Sequence, residues 1–300
     1  MSNFAVIDLG TNTFHLLIAR PNKEGGFDEI YRERRFIKLA EDGIQTIGNV
    51  AFDRGLKAIY DYARIIETHQ VKATKAVGTA ALRTASNGAN FIAQVKENCQ
   101  IDIELISGEE EARFIHHGVM QAVSFAEERQ LIMDIGGGSV EFIIANQERV
   151  FWSKSFPIGV AVLFNQFHKS DPISIDEQLV MNSFLQAQLT PLAAALTAFP
   201  VRSLIGASGT FDVLENLLKK KEEGRFYSKI DEKHFHPFFR DTLASTLAER
   251  LKIAGIPHTR AEMIIVALVL IDHIISLANI QEIVVSAFAL KEGILKEMMG

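Results

Sequence analysis

The feature that most constrains what this chain can fold into is an internal repeat. Residues 5–19, Ala5-Val6-Ile7-Asp8-Leu9-Gly10-Thr11-Asn12-Thr13-Phe14-His15-Leu16-Leu17-Ile18-Ala19, set an apolar strand, a small polar turn and a second apolar strand in succession. Residues 131–145, Leu131-Ile132-Met133-Asp134-Ile135-Gly136-Gly137-Gly138-Ser139-Val140-Glu141-Phe142-Ile143-Ile144-Ala145, repeat that pattern without a gap. Asp8 falls on Asp134, Gly10 on Gly136, Thr13 on Ser139 and Ile18-Ala19 on Ile144-Ala145. One such stretch is an ordinary hairpin, whose turn takes Gly, Asn and Asp for backbone reasons alone. Two in register imply two domains of related topology. Small residues after each Asp leave backbone N–H groups unobstructed, which suits capture of phosphate, and two such turns facing one another predict a cleft.

After each hairpin the pattern shifts to helical periodicity, with Leu56, Ile59, Tyr60, Ala63 and Ile66 on one face behind the N-cap candidate Asp53. Strands are expected at 73–77 and 101–106, with a helix at 88–97 between them. Ser107 and Glu110 have capping-box spacing, repeated at Ser174 with Glu177 and at Thr259 with Glu262. Residues 175–198 read as helical with a break at Pro191, and 201–205 as a strand entering a third small-residue turn, Gly206-Ala207-Ser208-Gly209-Thr210. Lys219-Lys220-Lys221-Glu222-Glu223-Gly224-Arg225 reads as a solvated loop. The fold class is α/β, with an N-terminal domain at 1–123 and a C-terminal domain at 124–300, the boundary lying near 124–130. The final helix is free to pack back on the first domain.

Charge and composition narrow the partners. With 31 basic and 37 acidic residues the net charge is −6, so no overall basic field exists to hold nucleic acid by counterion release. An anionic ligand must be captured locally. The longest apolar run, 263–271, is shorter than the roughly 20 residues that span a bilayer and reads as a buried helix, so no membrane partner is expected. Cys99 is the single cysteine, which excludes a disulfide scaffold or a cysteine-rich zinc site. Together with an N-terminus lacking the pattern of a secretory signal, this points to the cytoplasm.

The segments 8–13, 134–139 and 206–210 resemble the phosphate- and nucleotide-edge signatures of the actin-like, sugar-kinase and heat-shock ATPase superfamily. More narrowly, the chain resembles the Ppx/GppA family of exopolyphosphatases and guanosine pentaphosphate phosphohydrolases. Gly78-Thr79-Ala80-Ala81-Leu82-Arg83, Ile106-Ser107-Gly108-Glu109-Glu110-Glu111-Ala112-Arg113, Glu141 and Ser286-Ala287-Phe288-Ala289-Leu290-Lys291-Glu292-Gly293 carry the narrower likeness, in the expected order. The resemblance implies two related ribonuclease-H-like (actin-like ATPase) domains flanking a cleft, in a short form without the helical C-terminal extension of longer members.

It also implies release of terminal phosphate from inorganic polyphosphate or guanosine pentaphosphate, with Mg²⁺ as cofactor. In that reading Glu111 activates the attacking water. Gly10, Thr11, Asn12, Thr13, Arg83, Gly136, Gly137, Gly138, Ser139 and Gly209 hold phosphates. Asp8, Asp134 and Glu141 are hard oxygen ligands for Mg²⁺, or orient the water without touching metal. Spacing alone does not choose among Glu109, Glu110 and Glu111. Capping explains Glu110 and the helix dipole suits Glu109, so the choice of Glu111 rests on the resemblance.

One position departs from the family pattern. Its first loop usually continues Ser-Phe-Arg or Ser-Met-Arg, whereas His15 stands here in place of that arginine, putting a group that titrates near neutrality where a fixed cation is expected. Two other readings stay open: an ATP-using kinase or ATPase of the same superfamily, and a non-catalytic sensor of guanosine polyphosphates. His116-His117, His234 with His236, and Asp272-His273 read as structural or surface groups. A homodimer is in keeping with the family, and the apolar helix at 264–277 suits either an interface or burial within the fold.

Overall fold

The computed structural model describes residues 2–123, 128–222, 224–230 and 232–300. The expected boundary at 124–130 falls in part on residues 124–127, outside the described residues. The first sheet contains β1 (Asn3–Leu9), β2 (Thr13–Pro21), β3 (Phe27–Phe36), β4 (Val71–Gly78) and β5 (Ile103–Leu105). Between and after these strands lie α1 (Asn49–Thr68), α2 (Ala80–Thr84), α3 (Gly88–Cys99) and α4 (Gly108–Ala122). The second sheet contains β6 (Gln130–Ile135), β7 (Val140–Ala145), β8 (Val150–Phe156), β9 (Ser203–Ala207), β10 (Lys219–Glu222), β11 (Tyr227–Ile230) and β12 (Glu282–Ser286). The remaining helices are α5 (Val160–Phe167), α6 (Ile175–Gln188), α7 (Thr190–Ala198), α8 (Gly209–Leu218), α9 (Glu232–Leu243), α10 (Leu247–Arg250), α11 (Ile264–Ala278) and α12 (Leu290–Met299).

The hairpin repeat is the seed of a repeat of whole sheets. The first sheet runs β3-β2-β1-β4-β5, and the second runs β10-β11-β12-β9-β6-β7-β8. In the first, β3, β2 and β1 are antiparallel neighbours, and β4 and β5 continue parallel to β1. In the second, β8, β7 and β6 are antiparallel, and β9 and β12 continue parallel to β6. Strands β8-β7-β6-β9-β12 therefore reproduce β3-β2-β1-β4-β5 in order and direction, the ribonuclease-H-like arrangement. Each parallel step requires a crossover, and helices supply it.

The chain divides into two compact units, one of Met1–Gln121, Gly136–Gly138 and Ala289–Gly300, the other of Ala122–Ile135 and Ser139–Phe288. The last helix, α12, thus belongs to the first unit, where it packs on β1 and buries Leu290, Ile294 and Leu295. The first core sets Ile7, Leu9, Phe14 and Leu16 against Ile59, Tyr62 and Phe91. The second sets Met133, Phe142 and Ile144 against a helical layer that includes α11. Residues 264–271 of α11 are all buried, so of the two explanations for this apolar helix burial within the fold accounts for that run.

Several local expectations are corrected. Helix α1 begins at Asn49 behind Gly48, so Asp53 lies inside it rather than capping it. Its buried face is Ala51, Phe52, Gly55, Ala58, Ile59 and Tyr62, while Tyr60 is exposed. Tyr62 takes the core position because its hydroxyl donates to the Phe14 carbonyl at 3.1 Å, which satisfies the one polar atom that burial would strand. Thr259 and Glu262 do not open a helix: the Arg260 and Ala261 N–H groups both donate to the Pro257 carbonyl in a turn, and α11 begins behind Met263 with no side-chain cap. The capping box of this region is Thr246 with Glu249, at α10. Within the stretch read as a loop, Lys219–Glu222 form strand β10, paired with β11 at the sheet edge.

Candidate active site

The first turn is held by its own backbone. The Gly10 N–H donates to the Thr13 carbonyl at 3.0 Å, and a Cβ on Gly10 would lie 2.8 Å from that same oxygen, so only glycine closes this turn without displacing it. The carbonyl of Asn12 accepts from the Ile37 and Lys38 N–H groups at 2.8 and 3.0 Å, and that of Thr11 from the Leu39 N–H at 2.8 Å. These bonds occupy the lone pairs that would otherwise repel an anion. Thr11 is buried, and its Oγ1 makes no hydrogen bond to any described residue. A stranded hydroxyl of this kind costs about 1–3 kcal/mol unless something else bonds it.

Gly136–Gly138 belong to the same compact unit as this turn. A Cβ on Gly137 would come within 2.7 Å of Asn12 Cγ, and one on Gly138 within 2.7 Å of Thr11 Oγ1 and 2.8 Å of Ala80 Cβ. None of the three has a positive φ. Gly137 and Gly138 are glycine because Thr11, Asn12 and Ala80 press against them, whereas conformational freedom is not required. Ser139, buried, follows them at the start of β7.

Arg83 and Glu111 meet beside α4. Arg83, in the short α2, donates from Nη1 to the Ile106 carbonyl at 2.5 Å. Its side chain keeps 33% exposure, so the rest of the fork is reachable. At the start of α4 the Glu110 N–H donates to Ser107 Oγ at 3.2 Å, and the Ser107 N–H donates to Glu110 Oε2 at 2.9 Å, forming the expected capping box. The backbone bond from Ser107 holds the Glu110 carboxyl below its ordinary range, the Ser107 hydroxyl adding to it. Glu109 is exposed, whereas Glu111 is only 7% exposed and places Oε2 3.9 Å from Arg83 Nη1. The fold thus separates three carboxylates that spacing could not.

In the second sheet Asp134 and Glu141 are direct cross-strand partners in the β6–β7 register. They are 7% and 1% exposed, and Glu141 Oε1 accepts from Ser155 Oγ at 2.6 Å. Two buried carboxylates on one face repel, and a hard cation offsets that repulsion. The donor set suits Mg²⁺, which takes one or two carboxylates and leaves its remaining positions to water and phosphate oxygen. Among the described residues, no three His, Cys, Asp or Glu side chains gather into an all-protein metal cage. Asp8 lies in the first sheet opposite His15, and the same row continues to Arg34 on β3. A fixed cation therefore stands one strand beyond His15, which the sequence reading did not identify.

The third turn leaves β9 through Ser208, at φ 70°, and enters α8 at Gly209. Ser208 Oγ donates to the Ile135 carbonyl at 3.0 Å, tying this turn to the end of β6. A Cβ on Gly209 would lie 1.6 Å from Arg260 Nη2, so the guanidinium rests directly on the start of α8. Arg260 was missed in the sequence because it is about fifty positions away and matches no local motif. Its neighbour Ala261 accepts at 2.8 Å from Nε of Arg250, a fully buried arginine that also bonds the Ser245 carbonyl and Asp171.

Comparison with known proteins follows the same line. The model of the Ppx/GppA phosphatase family matches residues 17–300, leaving the first turn ahead of the matched segment. The guanosine-5'-triphosphate,3'-diphosphate pyrophosphatase of Aeromonas salmonicida (strain A449) is 27% identical over 99% of this chain, and the match spans 59% of the relative's own length. An exopolyphosphatase from Cytophaga hutchinsonii ATCC 33406 is similar in structure at a TM-score of 0.95 and 38% identity, covering 99% of this chain and 98% of that one. The Aquifex aeolicus PPX-GPPA enzyme shares the fold at a TM-score of 0.81 and 24% identity, covering 99% of each chain.

Proposed function

The chain belongs to the Ppx/GppA phosphatase family, and on that premise we propose that it is a phosphoanhydride hydrolase releasing terminal phosphate from inorganic polyphosphate or guanosine pentaphosphate. The observation that carries this reading is Glu111, buried beside Arg83 in the unit that also holds the stranded hydroxyl of Thr11. Such chemistry asks the protein chiefly for positioning, charge neutralisation and an oriented water.

Glu111 accepts a proton from water as the water oxygen bonds the terminal phosphorus. The bridging P–O bond breaks, and the shortened chain leaves with that electron pair. Arg83 neutralises charge on the departing phosphoryl group while its bond to Ile106 keeps the fork in place. The Thr11 hydroxyl and the N–H groups of Thr11, Asn12, Thr13 and 136–138 hold the phosphate oxygens. Gly10 contributes shape, because its own N–H is engaged in the turn. Within the second unit, Ser139, Gly209 and the neighbouring Arg260 offer donors suited to an anionic group. Asp134 and Glu141 would hold Mg²⁺, and Asp8 is a hard-oxygen donor within the first unit. When bound, that ion supplies neutralisation of phosphate charge. A cytoplasmic setting suits the single cysteine, and no helix of the described residues is long and apolar enough to cross a membrane. A homodimer is in keeping with the family, and residues 264–271 of α11, being buried, would not supply its interface.

The test is phosphate release by the purified protein with Mg²⁺ from short and long polyphosphate, guanosine pentaphosphate and ATP in parallel. Release from polyphosphate or pentaphosphate is expected, stopping on chelation and returning with Mg²⁺, and falling about a hundredfold or more in Glu111→Gln. Turnover of ATP alone would favour the ATP-using reading. Binding of guanosine polyphosphates without turnover would favour the sensor.

A further inference from the structure

A cavity of about 730 Å³ opens in the second unit at the sheet edge where β6, β9 and β12 begin. The turns that follow β6 and β9 leave the opposite edge, so this cavity is separate from the site described above. Its volume lies in the range of small-molecule sites. The topology builds it from chain ends. Arg129 immediately precedes β6, Asn146 follows β7, Arg202 precedes β9, and Asn279 and Gln281 fall between α11 and β12.

One wall is the ring of Phe151. The Arg129 and Arg149 guanidinium groups stand over it at 5.4 and 4.6 Å, and the Phe199 ring packs 5.5 Å away. Arg129 Nε also donates to the Pro200 carbonyl at 3.3 Å, which fixes the fork against the wall. The Gln281 N–H donates to the Arg202 carbonyl at 2.8 Å, tying the two segments that form the floor. Arginines elsewhere, such as Arg35, Arg54, Arg113 and Arg250, each have a carboxylate within 4 Å. Arg129, Arg149 and Arg202 have none among the described residues, and Glu128 is the one carboxylate of the lining. Two planar cations of the lining, Arg129 and Arg202, with no carboxylate partner among the described residues, together with the Phe151 ring and side-chain amides, form a recognisable chemistry. The cations match an oxyanion, the wall matches a flat ring, and the amides match ring heteroatoms or hydroxyls.

We propose that this cavity is a second binding site, for a nucleoside monophosphate, in which Arg129 and Arg202 pair with the phosphate and Phe151 carries the base. The assignment does not depend on the phosphohydrolase reading. The experiment is calorimetric titration of the purified full chain with AMP, inorganic phosphate and adenosine as separate probes. AMP is expected to bind saturably with Kd below about 1 mM, and each half-ligand at least about tenfold more weakly. Arg129→Ala/Arg202→Ala should weaken AMP at least about tenfold and leave phosphate release without AMP unchanged. Phe151→Leu, which keeps every charge, should weaken AMP while leaving the affinity for inorganic phosphate as it was, and guards against a double variant that fails to fold. Arg83→Ala should leave AMP affinity within about twofold. No saturable AMP binding, binding indifferent to the Arg129 and Arg202 changes, or binding lost in Arg83→Ala would each overturn the proposal.

Discussion

Glu109, Glu110 and Glu111 bring the same carboxylate into one helical turn, and their surroundings divide the work. Glu110 is spent on the Ser107 cap, and Glu111 is buried next to a guanidinium. The two substitutions should therefore separate stability from activity. Glu110→Gln is expected to lower stability by less than about 1 kcal/mol in a denaturant titration while leaving kcat within a few-fold, since the amide still accepts from Ser107. Glu111→Gln should do the reverse, with kcat down about a hundredfold and little change in unfolding midpoint. Equal loss of kcat in both variants would remove Glu111 from its assigned role. The same logic applies to the glycines, because a residue with no side chain is informative only when its neighbours are known.

Helix α4 shows how an element inherits constraints from what it packs against. A Cβ on Gly118 would lie 1.9 Å from the Ala289 carbonyl oxygen, and one on Gly293 would lie 1.8 Å from the Phe114 carbonyl oxygen. Helices α4 and α12 thus cross backbone to backbone at a pair of glycines. Either Gly→Ala change should cost about 1–3 kcal/mol through forced separation, seen as a lower melting temperature. Further along α4, burial pushes His116 down from 6.5 to about 4, with the charge of His117 adding to the effect. Above 6.5 neither folded nor unfolded chain carries the proton, and stability is complete. As pH falls through the window from 6.5 to about 4, the unfolded chain binds a proton that the folded chain refuses, so stability declines. Melting curves across that window should flatten in His116→Leu, and an unchanged pH slope would show that other groups carry it.

At the scale of the molecule, the chain does not give each unit one continuous stretch. The first unit ends its first run at Gln121, takes in Gly136–Gly138, and is completed by Ala289–Gly300. Helix α12 covers β1, so the last residues of the chain finish the core begun by the first. A chain ending at Phe288 should consequently lose hydrogen-exchange protection along β1 and β2, while β6 and β7 retain theirs. Full protection of β1 in that truncated chain would show that the first sheet is stable without its last helix.

The two-domain α/β architecture was legible in the sequence because its signals are local: alternating apolar strands, small-residue turns and caps lie within a few positions of one another, and repeating them declares the fold twice. Of the candidate site, the turns 8–13 and 134–139 were marked by the repeat and the Ser107–Glu110 cap by its spacing, whereas 78–83 and the choice of Glu111 rested on the family resemblance. Long-range contact decided the rest. Phase in α1 was settled by Tyr62 reaching Phe14, and β3 and β10 escaped notice because edge strands tolerate charge. Which glutamate is buried, why Gly137 and Gly138 bear no side chain, and that Arg260 lies on Gly209 depend on atoms brought within a few ångströms by folding. Periodicity records which face of an element is apolar, while the identity of the neighbour pressing on that face exists only once the chain has closed on itself.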